Sequence, residues 1–245
     1  MKLRILEASG AAAIFVAALA MGDARAGAPA GKGEAPFIDT FDLASCRWSS
    51  RGRNDFFILE PGYQLVLEGG EGKKLSHVEI TVLDQTRTLG GIETRVVEER
   101  ESLGGQLIEV SRNFYALCGP SKDVYYFGED VDTYRDGKIS DHEGAWAAFS
   151  GGARAALFMP AKPAKGARYY QELAPAVAMD RVEIVGIAES VKTPAGSFEG
   201  CVMTEETTPL EPEVRDHKIY ARGVGVAKED DLLLVKYGFV GPKSP

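Results

Sequence analysis

Histidine is scarce in this chain: there are three in 245 residues. His77, His142 and His217 stand far apart, and none belongs to an H-E-x-x-H pair that would set two imidazoles on one helical face for zinc. No G-x-S-x-G occurs, so the sharp strand-to-helix turn that exposes a hydrolase serine is missing. No two cysteines form C-x-x-C, which removes the thioredoxin type of redox site. The stretch "GGEGKKLS" (69–76) lacks the spacing of a phosphate loop and reads as a glycine-rich turn with solvated lysines. Glu98-Glu99-Arg100-Glu101 offers carboxylates, but neighbours on a strand alternate faces, and such a run reads as a solvated rim. Nothing here demands an enzyme.

Positive charge is also in deficit. There are 28 Lys and Arg against 36 Asp and Glu, a net charge of -8. Nucleic acid and anionic membrane surfaces are bound through Lys and Arg contacts, so neither is an expected partner. Long apolar runs are missing too, apart from Ala11 to Met21 ("AAAIFVAALAM"). That run is short for a membrane span, which needs about 20 residues. Lys2 and Arg4 precede it and Ala24-Arg25-Ala26 follows, the order of a secretory signal with its cleavage site. The expectation is a signal peptide over 1–26 and a mature chain starting near Gly27, periplasmic or secreted, with no membrane span. Removing Lys2, Arg4 and Arg25 against Glu7 and Asp23 takes the net charge from -8 to -9. No cysteine follows the site, so no lipid anchor is expected at the new N-terminus.

Cys46, Cys118 and Cys201 are an odd set for an oxidising compartment. One disulfide and one thiol is the simplest outcome, and three pairings are open. Cys46–Cys118 is the one we favour, because it would tether the N-terminal segment to the end of a strand.

What the chain does have is alternation. Residues 27–55 begin Gly/Pro/Ala-rich and read as a flexible lead-in to a single β-rich domain over 56–245. In "SHVEITVLD", Val78, Ile80 and Val82 alternate with polar neighbours, as a half-buried strand requires. "GIETRVVEERES", "QLIEVSRNFYALC" and "RVEIVGIAESV" follow, with turns at Gly90-Gly91 and Gly104-Gly105. The phase changes at Ile184-Val185, as at a bulge. Further strands are expected at 124–128, 168–173, 200–208, 215–221 and 232–239. Short links between successive strands predict a mainly β fold, an antiparallel meander curved into a half-barrel or barrel. Residues 144–161 lack the period of two and predict a short helical or irregular crossover over one face or mouth of the sheet.

"DTYRDGKISDHE" (132–143) invites a test for calcium. Asp132, Asp136, Gly137, Ile139 and Glu143 match positions 1, 5, 6, 8 and 12 of an EF-hand loop. Tyr134 at position 3 does not, and the flank "VYYFGEDV" is strand-like rather than helical. Asp136-Gly137 is also a strong hairpin signal. The hairpin is the preferred reading; a calcium site on Asp132, Asp136 and Glu143 is the alternative.

The C-terminal third carries "TPAGSFEGC" (193–201) and "KIYARGVGVAKED" (218–230). These resemble the T-P-x-G-x-F-x-x-C and Y-x-x-G-x-G-x-x-K-x-E phrases of an exported bacterial β-rich family of uncharacterised function. "YYFGEDVDTYRDGK" and "FMPAKPAKGARYYQE" look like further parts of the same pattern. Arg222 stands where that family's phrase has proline. The resemblance implies an open, curved sheet similar to lipocalin-like or lipoprotein-carrier-like barrels, and carries over no catalytic residue. A concave sheet offers a ligand face. The expected function is therefore a non-enzymatic exported binder of an apolar small molecule or lipid, with Trp146, Phe149, Phe158 and Met159 lining or covering the site. A structural or assembly role in the cell envelope, and a metal-binding module on the acidic 129–143 segment, are the alternatives.

Overall fold

A period of two governs nearly all of the described chain. The computed structural model describes residues 35–241; the expected signal peptide and the first residues of the lead-in lie outside them. Among the described residues, helix is confined to two 3-10 turns, Leu43–Ser45 and Gly72–Lys74. No helix there is long and apolar enough to cross a membrane.

Three short strands come first: β1 (Trp48–Ser49), β2 (Gly52–Arg53) and β3 (Ile58–Leu59). The first half of the main sheet follows as β4 (Tyr63–Gly69), β5 (Ser76–Leu89), β6 (Ile92–Leu103), β7 (Gln106–Cys118) and β8 (Val124–Arg135). Four short strands succeed them: β9 (Lys138–Asp141), β10 (Trp146–Ala147), β11 (Ala156–Met159) and β12 (Arg168–Tyr170). The second half comprises β13 (Arg181–Thr193), β14 (Gly196–Thr208), β15 (Glu211–Ala221), β16 (Gly225–Glu229) and β17 (Leu232–Phe239). Fifteen strands form one sheet in the order β10-β8-β7-β6-β5-β4-β17-β16-β15-β14-β13-β12, with β1 on β7 and β9 and β11 on β8. Every named pairing is antiparallel, and β17 against β4 joins the two halves.

The turns follow the expected chemistry. Gly90-Gly91 and Gly104-Gly105 both hold positive φ at two successive residues, the twist that suits a tight hairpin. The register of β13 on β14 shifts between Ile184 and Gly186, where the phase change in the sequence falls.

The sheet curves until its ends approach. β11 lies along β8 at one end, and Gln171, just beyond β12 at the other, donates its Nε2 to the Phe158 carbonyl at 2.9 Å. The Arg154 N–H reaches the Leu173 carbonyl at 2.9 Å beside it. The outer edge of β12 is covered in turn: Ile38 donates to Arg168 and accepts from Tyr170. On β12 these bonds occupy an edge that would otherwise be open to pairing.

Residues 144–161 take the irregular form. Phe149 has φ 69 and is followed by Gly151-Gly152 at 58 and 84, which no helix accommodates. Both ends of the segment are built into the sheet, β10 on Glu129 and Gly128 and β11 on Tyr126, Tyr125 and Val124. It is therefore wall rather than lid. Gly128 makes this possible: a Cβ there would sit 2.3 Å from the Trp146 carbonyl oxygen.

Residues 46–57 are fastened to the sheet. Cys46 and Cys118 form a disulfide with Cα atoms 4.9 Å apart, while Cys201 is a buried thiol. Trp48 packs edge-on against Tyr125 and Phe127, at 5.4 and 5.3 Å between ring centres. Asn54 accepts from the Phe56 and Phe57 N–H groups and donates to the Lys122 and Met159 carbonyls, all within 3.2 Å.

Candidate functional site

Residues directly opposite each other on paired strands share a face. In the second half of the sheet this places Ile184, Thr204, Lys218, Glu229 and Leu232 in one row. In the first half, Ile80, Glu99, Ser111 and Val131 form a row, flanked by one running through Val78, Glu101 and Glu109. Another row, Val97-Asn113-Glu129-Trp146, lies on the same face. Although β6 and β15 are separated by four intervening strands, the charges of Lys218 and Glu229 reach Glu99. The two halves therefore face each other across the concave side.

That side is acidic and withdrawn from solvent. Glu99, Glu101, Glu129, Glu172, Glu206 and Glu229 are all buried, with Lys218 as the basic member of the cluster. Lys218 Nζ lies 3.0 Å from Glu206 Oε2 and 3.2 Å from Glu229 Oε1. Burial works against its charge, but the two carboxylates outweigh it and hold the ammonium well above the ordinary lysine range. Burial, reinforced by the Glu229 charge, pushes Glu99 up to about 8. Glu101 rises through burial and through Glu99 and Glu109, and a hydrogen bond joins the Glu99 and Glu101 carboxyl groups. Glu129 is pushed up to about 8 by burial and by Glu172.

Hydrogen bonding is incomplete in this interior. Among the described residues, Glu99 Oε2, Glu206 Oε1, Trp146 Nε1 and Thr208 Oγ1 are buried without a partner. A buried polar atom left unmatched costs about 1–3 kcal/mol, more when charged. Several in one interior, beside displaced carboxyl groups, make it the candidate site.

An aromatic wall stands next to the acids. Tyr115 stacks on Tyr126 at 4.7 Å, Phe158 meets Tyr115 at 4.9 Å, and Trp146 meets Tyr126 at 5.3 Å. The Tyr126 hydroxyl donates to Asn113 Oδ1. Two of the four apolar residues expected at a ligand face, Trp146 and Phe158, thus lie together in the wall; Met159 is buried on β11 next to Phe158 in the chain. Phe149 does not join them. It is 52% exposed and leans toward Phe127, which alternation along β8 puts on the opposite face from Tyr126.

The segment 132–143 folds as a hairpin. Asp136 (φ 52) and Gly137 (φ 73) make its turn between β8 and β9. Asp132 is committed elsewhere, 2.9 Å from Arg112 and 3.0 Å from His142, and His142 Nδ1 also lies 2.8 Å from the Val131 carbonyl. Asp136 and Glu143 are exposed. The three carboxylates therefore do not gather as a calcium loop needs. Among the described residues, no group of three or more His, Cys, Asp or Glu is placed to hold a metal ion.

The buried acids were not visible from motif spacing. Glu99 and Glu101 look like a rim, yet period-two counting from Val97 puts both on its face of β6. Lys218 gave no such hint, because Ile219 beside it has the stronger claim to an inward position.

The chain matches no family model, no curated protein and no solved structure.

Proposed function

We propose that this protein is an exported, non-enzymatic carrier whose concave face holds a small molecule with an apolar body and a polar end. The observation that carries the reading is the meeting, on one buried face, of an aromatic wall with polar atoms that have no partner. Apolar lining with a few convergent polar groups is the usual makeup of a small-molecule site. Tyr115, Tyr126, Trp146 and Phe158 supply the apolar surface; Glu99 Oε2 and Glu206 Oε1 supply unmatched polar atoms. Lys218 suits binding better than catalysis, since two carboxylates keep it protonated and a nucleophilic lysine must lose its proton. Export rests on the order of charge, apolar run and Ala-Arg-Ala in the first 26 residues.

Native mass spectrometry of the protein purified from its own host tests the reading. A retained organic molecule is the expected result. Trp146→Ala should also weaken an apolar fluorescent probe about tenfold, the equivalent of one lost aromatic contact. An empty protein that takes up no probe would end the carrier reading.

A further inference from the structure

We propose that the molecule held on this face carries a protonated amine, which donates to an unmatched carboxylate oxygen of the interior, Glu99 Oε2 or Glu206 Oε1. The inference rests on the carrier reading and names the chemistry of its ligand.

The accounting of donors and acceptors leads there. Lys218 occupies one oxygen of Glu206 and one of Glu229. It leaves Glu206 Oε1 open, and Glu99 Oε2 is open across the interior. Glu99 is 3% exposed and Glu206 5%, so water does not satisfy these atoms cheaply. Once ionised, a carboxylate only accepts, so the guest that satisfies these oxygens must donate. A cationic donor suits the site, because among the described residues six buried glutamates share one buried lysine and a guest that brings positive charge lets a further carboxyl ionise. A carboxylate or phosphate head would add to the repulsion. A hydroxyl could donate but would leave the charge uncompensated. Bare metal coordination is disfavoured, since no three ligating groups are suitably placed among the described residues. The aromatic neighbours fit the same guest: Tyr115 lies within electrostatic reach of Glu99, and Tyr220 within reach of Glu206. An ammonium gains from a ring face as well as from a carboxylate.

One consequence separates an ammonium from a neutral guest. Among the described residues, the groups acting on Glu99 are Glu101 on its own strand and Glu229 and Lys218 across the interior, with Tyr115 of β7 in reach; Glu109 acts through Glu101. Together with burial they keep Glu99 protonated into the neutral range. An arriving ammonium favours the ionised form, so protons leave as it binds. Its affinity should therefore rise with pH between the ordinary carboxyl range and neutrality.

Dodecylamine, dodecanol and dodecanoate share one chain and differ in the head group, which makes them the probes of choice. Calorimetric titration of the intact protein at pH 7 should show the amine binding at least tenfold tighter than the alcohol, with dodecanoate weakest. Repeating it in two buffers of different ionisation enthalpy should reveal net proton release for the amine alone. Glu99→Gln or Glu206→Gln, whichever removes the acceptor, should lower the amine-to-alcohol ratio. Equal binding of amine and alcohol, or a preference for dodecanoate, would overturn the inference and leave the carrier reading standing. No binding of any of the three would remove both. Should either variant fail to fold, the ranking and the proton release of the unmodified protein still decide.

Discussion

Lys218 Nζ lies 3.0 Å from Glu206 Oε2, and both side chains are almost wholly withdrawn from solvent. Glu229 completes the arrangement from the neighbouring strand at 3.2 Å. Two carboxylates on one ammonium leave an excess of negative charge, which together with burial disfavours ionisation of the remaining glutamates of the concave face. A buried pair of this kind is weak evidence for stability in itself, because desolvation offsets most of the attraction. Its value lies in what it holds in place: a charged, preformed face inside a β-sheet.

Removing the cation exposes that balance. Lys218→Met leaves Glu206 and Glu229 buried without their partner, and should destabilise the protein by about 3–5 kcal/mol at neutral pH. The loss should be smaller near pH 5, because burial raises the Glu206 carboxyl and favours its neutral form. Urea denaturation at the two pH values measures it. A variant as stable as the parent at pH 7 would show that solvent reaches the cluster.

The raised carboxyls set a pH dependence of definite sign. Glu99 and Glu129 stand at about 8 in the folded protein against an ordinary value of 4.5, through burial first and then through Glu229 and Glu172 respectively. Between those values the folded chain keeps protons that the unfolded chain has released. Their contribution is fully present below the ordinary value and is lost as pH rises through the folded one. Lys218, raised in the folded state, contributes stability that persists through this window. Urea midpoints should therefore fall from pH 5 to pH 8.5, and Glu99→Gln should flatten the slope. A flat or rising profile in the unmodified protein would contradict the burial of these charges.

Much of the fold was legible because a strand with one buried face writes its period directly into the sequence. Val78, Ile80 and Val82 marked β5, paired glycines marked two hairpins, and Ile184-Val185 marked a bulge. The site was less legible for the same reason. Alternation reports which side a residue takes, but not whether that side is apolar. Glu99 and Glu101 therefore passed as rim residues although they lie on the face of Val97. The closure that brings Lys218 toward Glu99 depends on curvature accumulated over several strands, which no local window contains. Phe149 misled for a local reason: its positive φ turns it away from the face that Trp146 and Phe158 share.

Asn54 gives a prediction that does not depend on the acids. Its amide accepts two backbone N–H groups and donates to the carbonyls of Lys122 and Met159, joining the β2–β3 loop to β11. Asn54→Ala leaves these backbone groups without partners, at about 1–3 kcal/mol for each that water cannot reach. A loss of about 3 kcal/mol by urea denaturation is expected. A loss below about 0.5 kcal/mol, the level of an ordinary surface change, would mean that water substitutes for the amide.

The hairpin at 132–143 yields the last prediction, which turns on backbone rather than charge. Asp136 sits at φ 52, a region that Asn and Asp tolerate and β-branched residues resist. Asp136→Asn should therefore change stability by no more than about 0.5 kcal/mol. Asp136→Val should lower it by about 1 kcal/mol or more, since it forces a branched side chain into the left-handed region. A calcium loop would reverse the emphasis: Asn would abolish a calcium response, and calcium at 100 times its dissociation constant would stabilise the fold by about 2.7 kcal/mol. Because Asp132 is held by Arg112 and His142 on the strand, thermal melts in millimolar calcium and in chelator should coincide. A large calcium-dependent shift that Glu143→Gln removes would show that the strand end reorganises around the ion.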